Sequence, residues 1–169
     1  MAVEHWMRGP VDGVAPLLQP VEHALLQAQE DVPAVIEPLS TTDLWTRPTA
    51  AASAGFHVKH LAGALDRLLT YARGDALSPA QLAWLKAEAH AGDPPVDAAA
   101  LVGITNDAID RAMLQVRQTP EAGLLEPRFV GRQRLPSDVL GLLFHAAEHT
   151  TRHVGQLITT VKLIKGTAI

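Results

Sequence analysis

Cysteine is absent from the chain. That excludes disulfides, thiolate metal sites and a cysteine nucleophile, and it suits a reducing cytoplasm. Aromatic residues are scarce, with three Trp, one Tyr and three Phe, so Leu, Ala and Val carry the apolar content. That balance favours helix packing over a β-sandwich. No stretch approaches the roughly 18 apolar residues that would span a membrane. The segment from Met1 to Arg8 lacks a basic region followed by an apolar run, so no signal peptide is expected. A soluble, cytoplasmic protein without a membrane partner follows as the expectation. Basic runs are also missing, and the net charge is −4. Nucleic acid is excluded as a partner on that ground, because phosphate binding needs clustered Lys and Arg.

What is present is enough for one domain of 169 residues, nearly half of them hydrophobic. Leu18, Val21, Leu25, Leu26, Ala28 and Val32 recur at spacings of three and four, predicting a first helix from about Ala15 to Leu39. Pro20 fits its first turn, and Pro33 interrupts or kinks it. Ser40 to Asp43 marks a break, and Leu44 to Ala54 reads as a loop. Val58, Leu61, Ala62, Leu65, Leu68, Leu69 and Ala72 form the stripe of a second helix, from Ser53 to Arg73, that stops at Gly74. Ser78 followed by Pro79 opens a short helix ending near Gly92. Asp97 caps a third long helix reaching Gln118, and Arg128 to Leu135 is extended or a small hairpin. Ser137 or Asp138 starts a fourth long helix, which runs to Lys165 before Gly166. The fold class is therefore all-α: a four-helix bundle with a crossover connection plus a short extra helix, in one domain over 1–169 with its core at about 15–164.

The eight histidines are the informative feature. His57 and His60 fall within the second long helix, and His145, His149 and His153 within the fourth. Residues four apart share a helical face, so His149 and His153 can point two imidazoles at one ion. A third from the second helix, His57 or His60, closes a three-nitrogen site with positions left for water or substrate. A helical wheel puts His57 nearer the apolar stripe than His60. On the last helix it puts His153 at the stripe's edge and His145 furthest away, where a solvated role is expected. The alternative is that these histidines are incidental to packing. A zinc-protease site is excluded, because Thr150 follows His149 where that chemistry needs a glutamate base. Glu148 instead faces Arg152 at the spacing of an ordinary surface ion pair. A carboxylate-bridged di-iron site is disfavoured, since Glu-x-x-His pairs from two helices are missing.

His149-Thr-Thr-Arg-His153-Val-Gly155-Gln156 resembles the H-x-x-x-H-x-G-Q signature of DinB-like (YfiT-related) proteins. His57-Val-Lys-His60-Leu61-Ala62 is similar to their earlier motif, in which a histidine precedes a Leu-Ala or Ile-Ala pair. The likeness extends over about residues 15–164. It implies a four-helix bundle and a divalent metal, zinc or nickel, held by His60, His149 and His153, with His57 in reserve. Gly155 is expected to permit close helix approach, and Gln156 to pack or hydrogen-bond. Members of this family include transferases that use low-molecular-weight thiols such as bacillithiol or mycothiol, and a mycothiol-dependent maleylpyruvate isomerase. The resemblance thus implies a metal-dependent thiol transferase acting on a small-molecule substrate, in a chain able to form a homodimer. A metal-dependent hydrolase, a non-catalytic metal- or ligand-binding bundle, and a purely structural module remain as alternatives. Arg128, Arg132, Arg134 and Arg152 are candidates for an anionic substrate, or simply solvated side chains. No residue stands out as a general base.

Overall fold

Three of the four long helices begin where a short polar side chain satisfies backbone N–H groups that the helix itself leaves unpaired. The computed structural model describes residues 3–166. Helix α1 spans Gln19–Ile36, with Pro20 in its first turn, and a 3-10 turn at Pro16–Leu18 leads into it. Helix α2, Thr41–Trp45, starts from a capping box in which Ser40 and Asp43 bond each other's backbone N–H. Helix α3 covers Ala54–Ala72 with Ser53 as its cap, and the chain leaves it through Gly74 at φ 86°. Helix α4 covers Pro79–Ala87 and begins with a second capping box, Ser78 with Gln81. Helix α5 is Ala98–Gln118, capped by Asp97. Strands β1, Pro127–Val130, and β2, Leu135–Asp138, pair antiparallel, with Pro127 opposite Asp138 and Val130 opposite Leu135. Asp138 then caps α6, Val139–Lys165, which ends on left-handed Gly166.

The four long helices pack in a ring: α1 and α3 each lie against both α5 and α6. Their stripes meet in one core, where Leu25, Ile36, Leu61, Leu65, Ile109, Leu143 and Leu157 are essentially fully buried. Each such side chain stabilises the fold by roughly 1.5–3 kcal/mol relative to exposure. Helices α2 and α4 sit outside the ring, against α3. No helix among the described residues is long and apolar enough to cross a membrane.

The chain is thus mostly helical, with a two-stranded sheet between α5 and α6 that matches the hairpin alternative at 128–135. Three other expectations need correction. The stretch from Leu44 to Ala54 is not all loop, since α2 reaches Trp45. Among the described residues there are accordingly two short α-helices beside the long ones, not one. Pro33 lies inside α1, which continues to Ile36.

Candidate metal centre

The seam between α3 and α6 gathers histidines from both helices. Ser53 accepts from the N–H of Phe56 at 3.2 Å, fixing the start of α3 one turn before His57 and His60. On α6, His149 and His153 are one turn apart, with ring centroids 4.6 Å from each other. His60 Nε2 lies 3.0 Å from His149 Nε2. One ring nitrogen from each of His60, His149 and His153 falls within 4.8 Å of the other two. His57 sits behind this trio, deeper in the fold, and pairs with His153 through their Nδ1 atoms at 3.2 Å. His145 is exposed and faces Glu148 at 3.2 Å, while Arg152 Nε donates to Glu148 on the outer surface of α6.

Behind His60 stands a residue that no motif or spacing announces. The Glu88 side chain is buried, with Oε2 2.7 Å from His60 Nδ1 and Oε1 accepting from Arg67 Nη1 at 2.6 Å. A single glutamate 28 positions from its partner, just past a short helix, carries no periodic or motif signal. The ring of Phe56 stacks on His60 with centroids 5.3 Å apart.

Burial and the neighbouring His60 ring push His149 down to about 4, with smaller contributions from His145 and Arg152. Burial, then His60, His149 and His57, push His153 down to about 3. His57 is lowered as well, mainly by burial. These rings are therefore neutral at pH 7, the form in which imidazole offers a lone pair to a metal.

The hydrogen-bond accounting shows whether a cation fits. Glu88 accepts from His60 Nδ1–H, which in a neutral ring leaves His60 Nε2 with a lone pair aimed at His149. If His149 Nε2–H donates to it, His149 Nδ1 keeps a lone pair; that atom is buried and has no partner. If the proton sits on Nδ1 instead, two lone pairs oppose each other at 3.0 Å. Either tautomer leaves one nitrogen badly placed; a cation between the two Nε2 atoms removes the opposition of lone pairs, with the His149 proton then on Nδ1. Two imidazole nitrogens on a tetrahedral ion, each about 2.0–2.1 Å from it, are roughly 3.3 Å apart, close to the spacing found here. Three imidazoles, no thiolate and no carboxylate in the trio suit zinc, nickel or a similar divalent ion.

Two grooves reach this cluster. One, of about 680 Å³, is lined by Phe56, His57, Arg152, His153 and Gln156. The other, of about 280 Å³, is lined by His60, Arg67, Tyr71, His145 and His149. Tyr71 and Leu77 also line a third hollow, beside the hairpin arginines Arg128, Arg132 and Arg134. Gln156 is exposed on the first groove rather than packed. The expectation that Gly155 permits close helix approach fails, because a Cβ added there would meet nothing within 4 Å.

No curated protein matches the chain. A family model described as the DinB superfamily matches residues 24–157, a span that contains both histidine-bearing stretches of α3 and α6. The chain belongs to the DinB superfamily.

Proposed function

We propose that this chain is a four-helix bundle with a crossover connection whose His60, His149 and His153 hold one divalent metal ion, and that it is a transferase acting on a low-molecular-weight thiol. The observation that carries the reading is the convergence of three imidazole nitrogens from α3 and α6 within 4.8 Å, at the junction of two grooves. Bound there, a divalent ion supplies Lewis acidity, which lowers the pKa of a thiol and holds it as a thiolate. The chain has no cysteine, so the thiol must arrive as a separate molecule. Its own side chains shape where that molecule lies. Phe56 gives one groove an apolar wall, and Arg152 and Gln156 offer donors at its rim. On the other side, Tyr71 and Leu77 lead from the histidines to the hairpin arginines, of which Arg132 and Arg134 suit the carboxylates of an anionic thiol while Arg128 is engaged with Ala72, Pro127 and Glu126.

Cobalt(II) titration of the metal-stripped protein tests both parts. One ion per chain is expected, and His149→Ala should lower its affinity by at least 100-fold. Adding a thiol such as glutathione to the cobalt-loaded protein should produce a thiolate-to-cobalt charge-transfer band. Failure to bind cobalt, or equal binding by His149→Ala, overturns the metal reading. Cobalt binding without a band for any of a panel of small thiols overturns the thiol reading and favours hydrolysis or simple binding.

A further inference from the structure

We infer that Glu88 is a positioning residue for His60, delivered by α4, and that Gly63 is the gap in α3 that admits it. The inference rests on the metal reading above for its consequence, but not for its geometry. Glu88 is 2% exposed and lies immediately after the last residue of α4. A carboxylate that deep is costly unless its oxygens find donors. Both do: His60 Nδ1–H on one side and Arg67 on the other. A carboxylate only accepts, so its bond to Nδ1 places a proton there, and in the neutral ring this leaves the lone pair on Nε2, toward His149.

Helix α4 is held so that this contact is fixed. Lys59 Nζ donates to the carbonyls of Ala87 and His90 at 2.8 Å, at the C-terminal end of α4 where a cation is favoured. Trp84 Nε1 donates back to the Lys59 carbonyl at 3.1 Å. Near the other end, Gln81 Nε2 donates to Asp66 Oδ2 and Thr70 Oγ1, both at 2.7 Å. These contacts draw α4 so close to α3 that a Cβ on Gly63 would lie 2.4 Å from Trp84 and 2.5 Å from Glu88 Oε1. Only glycine at 63 leaves room for the Glu88 carboxylate to reach His60.

A purely structural account would have Glu88 and Arg67 merely fasten α4 to α3. The two accounts part at the His60 ring and at the metal. Nitrogen-15 NMR of the metal-free wild-type protein should show His60 as the Nδ1–H tautomer; an Nε2–H ring there overturns the inference before any variant is made. Glu88→Gln and Gly63→Ala should each weaken cobalt(II) binding by about 10- to 100-fold in competition with a chelator. In a His60→Ala background Glu88→Gln should cause no further loss, whereas in a His153→Ala background its effect should persist. Unchanged affinity in Glu88→Gln, or an equal loss in the His60→Ala background, sinks the proposal. If the wild type binds no cobalt, the metal reading fails, and the tautomer alone still decides the role of Glu88.

Discussion

A Cβ placed on Gly155 would meet open space, whereas one placed on Gly55 would lie 2.8–2.9 Å from the ring of Trp45. Both glycines are helical, so alanine should help each by removing backbone entropy from the unfolded chain. At Gly155, within α6, nothing opposes that gain. Gly155→Ala should raise stability by about 0.5–1 kcal/mol and leave cobalt affinity unchanged, as read by urea unfolding and metal titration. A destabilised variant would show that Gly155 serves an approach that the structure does not contain. At Gly55 the indole is in the way, and its Nε1 is already tied to the Val96 carbonyl at 2.8 Å. Gly55→Ala should therefore lose about 1–3 kcal/mol through overpacking. The histidines carry the same lesson. A helical wheel reports depth, and it correctly put His57 deeper than His60. It does not report which ring faces a neighbouring helix, and the structure brings His60, not His57, against His149.

Capping side chains announce most of the boundaries of the longer elements. Asp97 and Ser78 start α5 and α4 as the sequence predicts, and Gly74 and Gly166 stop α3 and α6. Helix α2 was missed because five residues are too short to show an apolar stripe. The hairpin is ambiguous in sequence for a related reason: four-residue strands around Gly131 give little alternation to read. The role of α4 was hidden more deeply, because it depends on contacts with α3 rather than on its own pattern. Lys59 is the test. Its ammonium is buried between Trp45 and Trp84, 5.8 and 5.5 Å from their centroids, and burial lowers its pKa. Lys59→Met keeps the aliphatic stem but leaves the Ala87 and His90 carbonyls without their donor, at a cost of about 1.5–3 kcal/mol. The loss should be local: amide exchange should accelerate across residues 79–92 more than across α5. Uniform acceleration over the whole chain, or none, would refute the idea that Lys59 anchors this element in particular.

On the scale of the whole molecule, the histidine cluster ties folding to protons and to metal together. His149 and His153 titrate at about 4 and about 3 in the folded chain, against about 6.5 when unfolded. Between those values the unfolded chain binds more protons than the native one, so stability rises with pH. Their contribution is fully present above about pH 6.5 and is lost as pH falls toward 4 and then 3. Paired carboxylates act in a lower window. Arg8 holds Glu30 down to about 2, Lys165 lowers Asp43 and Arg152 lowers Glu148, all from ordinary values near or below 4.5. Between pH 7 and 5 the histidines therefore dominate. The midpoint of thermal unfolding of metal-free protein should fall over that range, and His149→Gln with His153→Gln should flatten the slope. Metal at 100 times its dissociation constant should add about 2.7 kcal/mol at pH 7. That increment should hold between pH 7 and 5, where both rings stay neutral in the folded chain, and shrink below about pH 4, where protons compete with the ion for the same nitrogens. Calorimetry at four or five pH values, with and without zinc, measures both slopes at once. A flat metal-free profile would mean that the rings are not held neutral by burial, and a zinc increment undiminished below about pH 3 would mean that zinc binds somewhere other than these histidines.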